Sequence, residues 1–405
     1  MVSNRNSAMS GARLSGIVRE PIKADTWIYA LSFLTVFVDV SSVIETYAYI
    51  RYLMLLIVGI FIYLKLTVIV SDKNWLSLVP WLVFFAVVSF SSFLLRDDYT
   101  SRNPFLAAIV ALGGLLEFIA VINYAFEKRR LRSALNVFYV VALIVLLITD
   151  VTVYFSGIYL IGNKFRIAYF HILFVVLFVI RKAFFKNSKS FINQTLFVGL
   201  IILTFAICLK VDCTTGINAI VLMIVWFILG RIFPLFVYNP ITASVTVVLS
   251  YVFMYIATSF LHITFVANYI VDTLHKDVTM TGRLLIFEVV PKVLSRKPLL
   301  GYGYGVSYEV LDFALKGAPD TQNALAEWIL YGGYITAIII ILLIALNFKT
   351  ALTHASTNNV AMLICVAFVY AFICIGTVEI SYGMDFFAVL ALLRVISLSI
   401  NQRKG

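Results

Sequence analysis

The chain has 405 residues, 62% of them hydrophobic and 13% charged, with a mean hydropathy of +1.01; a soluble domain is nearer half apolar and a quarter charged. That balance excludes a soluble enzyme. The formal net charge of +11 is then read as a report of membrane orientation and not as a nucleic-acid footprint.

In chain order, residues 1–26 carry Arg5, Arg13, Arg19 and Lys23 without an apolar core. They read as a cytoplasmic tail, which makes the first apolar run a retained helix and not a cleaved signal. Twelve apolar runs follow, over residues 27–44, 47–70, 75–95, 104–126, 134–156, 167–185, 191–209, 215–233, 242–266, 324–347, 360–377 and 384–400. Each approaches the roughly 20 residues that cross about 30 Å of hydrocarbon as a helix. The expected fold is an all-α, polytopic membrane bundle of about twelve transmembrane helices. Residues 27–266 hold the first nine spans, 267–323 form one large extracytoplasmic loop with short amphipathic helices, 324–400 hold the last three spans, and 401–405 form a second tail.

The cations set the direction. With the N-terminus inside, the inner connections and tails collect Lys65, Lys73, Lys128, Arg129, Arg130, Arg132, Arg181, Lys182, Lys186, Lys189, Arg231 and Lys349 beside the four tail residues, Arg403 and Lys404. The short outer connections hold only Arg96, Arg102, Lys164, Arg166 and Lys210. This asymmetry predicts both termini in the cytoplasm and puts residues 267–323 outside.

A connection that long is usually functional or disordered, and its composition predicts order. After Gly282 and Arg283, the residues Leu284, Leu285, Val289, Val290, Val293 and Leu294 recur at helical spacing while Glu288, Lys292 and Arg296 share another face. The pattern is an amphipathic helix on the outer surface, bent or restarted at Pro291, able to wall a cleft over the bundle. Arg296 and Lys297 read as headgroup anchors.

No Walker loop, His-Glu-x-x-His, paired-cysteine metal site or Gly-x-Ser-x-Gly elbow occurs, so no cofactor or metal is expected. Cys208, Cys213, Cys365 and Cys374 lack ligand spacing and read as small core residues. The run Gly301, Tyr302, Gly303, Tyr304, Gly305 departs from the dinucleotide fingerprint. It is either a tight turn or a nest of backbone N–H groups that receives an anion. Glu117, near the middle of the fourth span, should face the bundle. His171, His262 and His275 read as core histidines.

The stretch from Thr279 through Thr281-Gly282-Arg283 to Pro298-Leu299-Leu300-Gly301-Tyr302-Gly303 resembles the outer-loop signature of the O-antigen polymerase and ligase superfamily. That superfamily comprises Wzy-type polymerases and lipopolysaccharide O-antigen ligases. Members commonly show His-Asn, nine residues, Gly, two residues and Gly at the start of the next helix. Here the sequence is Gln322-Asn323, nine residues, Gly333, two residues and Thr336, with Leu325 and Glu327 matching as well. Two departures stand out: Gln322 replaces a histidine that ligases require, and Phe287 replaces a frequent tryptophan. Arg166 is the match for an arginine often found before the sixth helix.

The resemblance implies a Wzy-type polymerase that moves a growing glycan from its undecaprenyl-pyrophosphate carrier onto another lipid-linked repeat unit. The reaction it implies lies on the outer face of a bacterial inner membrane, with membrane lipids, a flippase and a chain-length regulator of the same pathway as expected partners. An O-antigen ligase, or a lipid-linked oligosaccharide transporter, is the alternative. The anionic leaving group calls for guanidinium groups, which makes Arg283 a catalytic candidate and Arg166 a substrate-binding one. Acceptor activation calls for a carboxylate, with Glu327, Asp320 and Asp277 as candidates, although Glu327 could equally serve the helix dipole. Gln322, Asn323, Gly301, Tyr302 and Gly303 complete the expected substrate-binding set.

Overall fold

The computed structural model describes residues 24–41, 43–70, 75–184, 190–260, 282–355 and 359–401. Thr279, Thr281, Asp277, His262 and His275 fall outside the described residues. Within them there are sixteen helices and no strand. In chain order they are α1 (Ala24–Phe37), α2 (Tyr47–Leu64), α3 (Leu66–Ile69), α4 (Trp75–Leu94), α5 (Pro104–Glu127), α6 (Leu131–Ser156), α7 (Lys164–Phe184) and α8 (Ser190–Lys210). There follow α9 (Thr214–Ile232), α10 (Pro234–Val237), α11 (Pro240–Phe260), α12 (Arg283–Leu294), α13 (Ser307–Asp312), α14 (Ala324–Leu352), α15 (Val360–Ile375) and α16 (Met384–Asn401).

By length and composition, seven of the described helices can cross a membrane: α2, α5, α6, α7, α9, α11 and α14. Shorter apolar helices lie in α1, α4, α8 and α15. Their limits are written in local chemistry. Asn103 accepts hydrogen bonds from the N–H groups of Phe105 and Leu106 ahead of Pro104 at the first turn of α5. Gly157, in the left-handed region at φ 66°, closes α6.

At the centre, α16 packs on α1, α5, α7, α14 and α15, and α15 is buried along almost its whole length. By contrast α2 and α6 leave Leu53, Leu56, Ile60, Ile144, Leu147 and Val151 exposed, an apolar face suited to hydrocarbon.

The amphipathic segment after Gly282 forms α12, continuous across Pro291 and not restarted there. Its inner face is Leu284, Ile286, Phe287, Val290, Val293 and Leu294, with Leu285 half exposed, and it rests on α11 and α14.

Helix α14 is broken at Gly332 (φ −145°) and Gly333 (φ 71°). The break frees backbone groups, and residues 298–303 take them up. The N–H groups of Tyr302 and Gly303 donate to the carbonyls of Leu330 (2.6 Å) and Tyr331 (3.0 Å), and Tyr334 N–H donates to Pro298 (2.8 Å). Ser91 on α4 donates to the carbonyls of Leu300 and Tyr331. Only glycine fits at 333, because a Cβ there would overlap the carbonyl of Leu299. Beyond this clasp, Glu309 on α13 accepts from the N–H groups of Thr100 and Ser101, each at 3.1 Å. Those two bonds and the Ser101 and Thr100 hydroxyls hold its carboxyl below the usual range.

Candidate functional site

Residues from five connections and adjoining helix ends line one cavity of about 640 Å³. All of them lie at the helix ends that the cation asymmetry assigns to the outer face. Asp39 and Arg51 come from the α1–α2 region, Arg102 from before α5 and Arg166 from the first turn of α7. Asp320 and Gln322 precede α14, Glu327 lies in its first turn, and Glu379 and Asp385 flank the start of α16. Tyr304, Trp328 and Tyr331 form an aromatic wall, with ring centroids 4.8 to 5.9 Å apart. Behind Trp328, Phe84 and Phe387 pack at 5.0 and 5.2 Å.

The charges are mostly paired. Arg51 binds Asp39 at 2.7 Å and the carbonyl of Thr35 at 3.0 Å. Arg166 binds Asp385 at 3.3 Å, leaving the other Asp385 oxygen, buried, without a partner among the described residues. Arg102 is exposed and makes no ion pair with a described carboxylate.

Arg283 stands behind the cavity wall, bonded to two residues that line it. Gly282, left-handed at φ 83°, turns the chain into α12. Arg283 Nε then donates to Gln322 Oε1 at 2.7 Å, and Nη2 reaches Glu379 Oε2 at 3.3 Å. Gln322 passes the contact on, its Nε2 donating to Asp320 Oδ1 at 2.7 Å. Gln322 itself sits at φ 52°, a conformation that side chains other than glycine rarely adopt and that clusters at functional sites. One guanidinium thus links two carboxylates through an amide. Burial pushes the Asp320 carboxyl up, its hydrogen bonds and Arg283 opposing. Burial, offset in part by Arg283, pushes Glu379 to about 7.

Glu327 has a different setting. It is 3% exposed and accepts from Tyr331 OH (2.7 Å), Thr321 N–H (3.2 Å), Thr321 Oγ1 (2.9 Å) and Ser307 Oγ. A carboxylate offers about four acceptor positions; Tyr331, Ser307 and the Thr321 N–H fill three, and the Thr321 hydroxyl, which also reaches the Asn323 carbonyl at 2.9 Å, stands at the fourth. The carboxylate ties α13 and the turn at Thr321 to the first turn of α14.

The other expected residues divide likewise. Asn323 is fully buried; its side chain caps α14 by accepting from Ala326 N–H (3.0 Å) and donates to the carbonyls of Ser250 (2.9 Å) and Thr377 (3.3 Å). Gly301, Tyr302 and Gly303 belong to the clasp on α14. The amides of Tyr302 and Gly303 are spent on carbonyls and that of Gly301 on Lys297 (3.1 Å), so the run is a turn and not an anion nest. The structure therefore brings together Arg166, Asp320, Gln322, Glu327 and, behind them, Arg283, but leaves Asn323, Gly301, Tyr302 and Gly303 in structural roles. His171 is buried with Nε2 2.9 Å from Asp150 Oδ1. Glu117 meets Gly59 of α2, its Oε2 unpartnered among the described residues. Among the described residues no group of three or more His, Cys, Asp or Glu could hold a metal ion.

No protein-family model matches the chain, and no curated protein matches its sequence. What the chain does must be argued from the cavity.

Five cavity residues were not singled out from sequence: Arg51, Arg102, Asp39, Glu379 and Asp385. A signal existed for Arg51, a cation inside the second apolar run, where a charge is costly and marks function. Glu379 and Asp385 sit in and beside the six-residue outer connection between the last two runs, where an acid looks ordinary until the fold surrounds it.

Proposed function

We propose that this protein is a membrane glycosyltransferase of the Wzy type, a twelve-span protein of a bacterial inner membrane with both termini cytoplasmic and residues 267–323 outside. It joins undecaprenyl-pyrophosphate-linked repeat units into a surface polysaccharide. The observation that carries the reading is a cavity at the helix ends assigned to the outer face, which combines arginines, carboxylates and an aromatic wall. A lipid diphosphate needs guanidinium donors, and Arg102, free of an ion pair, supplies one at the cavity, with Arg51 and Arg166 adding charge as the glycosidic bond breaks. The half-buried rings of Tyr304 and Tyr331 offer apolar area to sugar rings, with Trp328 packed behind them. Gln322, held at both ends by Arg283 and Asp320, carries an amide that takes up no proton, which favours polymerase over ligase.

The surface glycan of a deletion strain, separated on a gel, tests this reading. A single repeat unit on its acceptor is the expected result. Finished polymer retained on the lipid carrier would make the protein a ligase, and absence of any surface repeat unit would make it a transporter. Orientation is tested by labelling intact spheroplasts with an impermeant thiol reagent. A cysteine replacing the exposed Phe313 should react, and one replacing Arg129 should react only after lysis; the reverse pattern overturns the topology.

A further inference from the structure

We infer that the Glu379 carboxylate accepts the proton of the acceptor sugar hydroxyl, and that Arg283 is its positioning residue. The inference rests on the polymerase reading and assigns the base within it.

The five carboxylates of the cavity are not equivalent. Glu327 accepts from Ser307, Tyr331 and the Thr321 N–H, with the Thr321 hydroxyl against its fourth position. Asp39 is neutralised by Arg51 at 2.7 Å and also accepts from Ser41 N–H and Oγ. Asp385 is held by Arg166, and its second oxygen is buried without a partner among the described residues. Asp320 has one oxygen without a bond among the described residues, but the other accepts two short bonds from Gln322, at 2.8 and 2.7 Å, which weaken its hold on a proton. Glu379 has one long contact on each oxygen, Arg283 Nη2 and Ile380 N–H, both at 3.3 Å. It faces the cavity with lone pairs to spare. Arg283 is fixed in turn by its 2.7 Å bond to Gln322, so the carboxylate is oriented from behind while its open side meets the substrate.

The step balances without a co-reactant. The acceptor oxygen forms its bond to the anomeric carbon as its proton passes to Glu379. The bond from that carbon to the diphosphate oxygen breaks, and the electron pair leaves on the diphosphate, stabilised by the cavity arginines. A base is most effective when its affinity for protons lies near the working pH, and Glu379 meets that condition at about 7. The charged and titratable groups facing it are Arg283 from α12, Asp320 from the turn before α14, Lys164 and Tyr169 from α7, and Cys213 ahead of α9.

The test uses purified full-length protein and lipid-linked repeat units extracted from its own deletion strain, with chain extension followed against pH. Wild type should extend chains with a rate that rises through an inflection near 7. Glu379→Gln should lose on the order of 100- to 10,000-fold together with the inflection, while Glu379→Asp keeps an inflection at reduced rate. Asp320→Asn should move the inflection to lower pH, because removing a neighbouring negative charge eases ionisation of Glu379. The last measurement decides even where Glu379→Gln fails to accumulate. A Glu379→Gln protein with an unchanged inflection, whatever its rate, or an Asp320→Asn inflection that stays put, overturns the assignment while the polymerase reading stands. Wild type that extends nothing overturns both.

Discussion

Two regions around the start of α14 use the same kinds of residue for opposite ends. On one side is the clasp, residues 298–307 with Glu327, folded onto the broken start of α14. On the other is the cluster of Arg283, Gln322, Asp320 and Glu379. Glu327 and Glu379 are equally buried, each 3% exposed, yet the first accepts from four donors and the second has two contacts at 3.3 Å. Burial alone therefore does not mark a reactive carboxylate. What separates them is how many acceptor positions the fold has already filled: a saturated carboxylate holds structure, and an unsaturated one remains open to substrate.

The strongest way to break this comparison is at the clasp. Gly333→Ala puts a Cβ onto the Leu299 carbonyl and forces a left-handed backbone on alanine. It should cost more than about 4 kcal/mol, read as loss of folded protein in membranes. Glu327→Ala leaves the hydroxyls of Ser307 and Tyr331 and the Thr321 N–H buried without the acceptor they use. At about 1 to 3 kcal/mol for each group that water cannot reach, it should lower the thermal midpoint of the detergent-solubilised protein sharply, whatever the substrate. A midpoint equal to wild type would place the residue in the chemistry after all.

The second cluster should respond in activity and not in abundance. Arg283→Ala should abolish long chains at normal protein level, a loss of the order of 100- to 1000-fold, or about 3 to 4 kcal/mol of barrier. Arg283→Lys should restore them only in part, since an ammonium cannot bond Gln322 and Glu379 in fixed directions. Full-length polymer from Arg283→Ala would remove the cluster from the mechanism.

The pH dependence of stability sharpens the contrast further. Burial raises the Glu379 carboxyl to about 7, so the folded state holds this proton more tightly than the unfolded chain. The resulting stability is complete below the ordinary carboxylate range and is lost as pH rises through about 7. At 1.36 kcal/mol per unit it amounts to about 3 kcal/mol. Melting should therefore be easier at pH 8 than at pH 6, and Glu379→Gln should flatten that difference. Arg296→Ala marks the lower end of the series. Its side chain is exposed without an ion pair to a described carboxylate, and the change should stay within about 0.5 kcal/mol and leave chain length as in wild type.

The sequence by itself determined the helices, and its cation bias gives them an expected direction. Apolar runs of about 20 residues, their caps and the Lys/Arg bias are local properties that need no distant partner. The helix after Gly282 was legible from its spacing, although its buried face shifted to take in Ile286 and Phe287 once α11 and α14 lay beneath it. Gly333 could be picked out from its spacing to Gln322-Asn323, but not the clasp it accepts, because Leu299 touches it only after the chain has doubled back. The site divides in the same way. Arg283, Gln322 and Asp320 stood out within one loop, whereas Glu379 lies 96 residues beyond Arg283 and Asp385 lies 219 beyond Arg166. Which carboxylate is saturated and which is left open depends on donors contributed by separate helices, and that count exists only once the helices have packed.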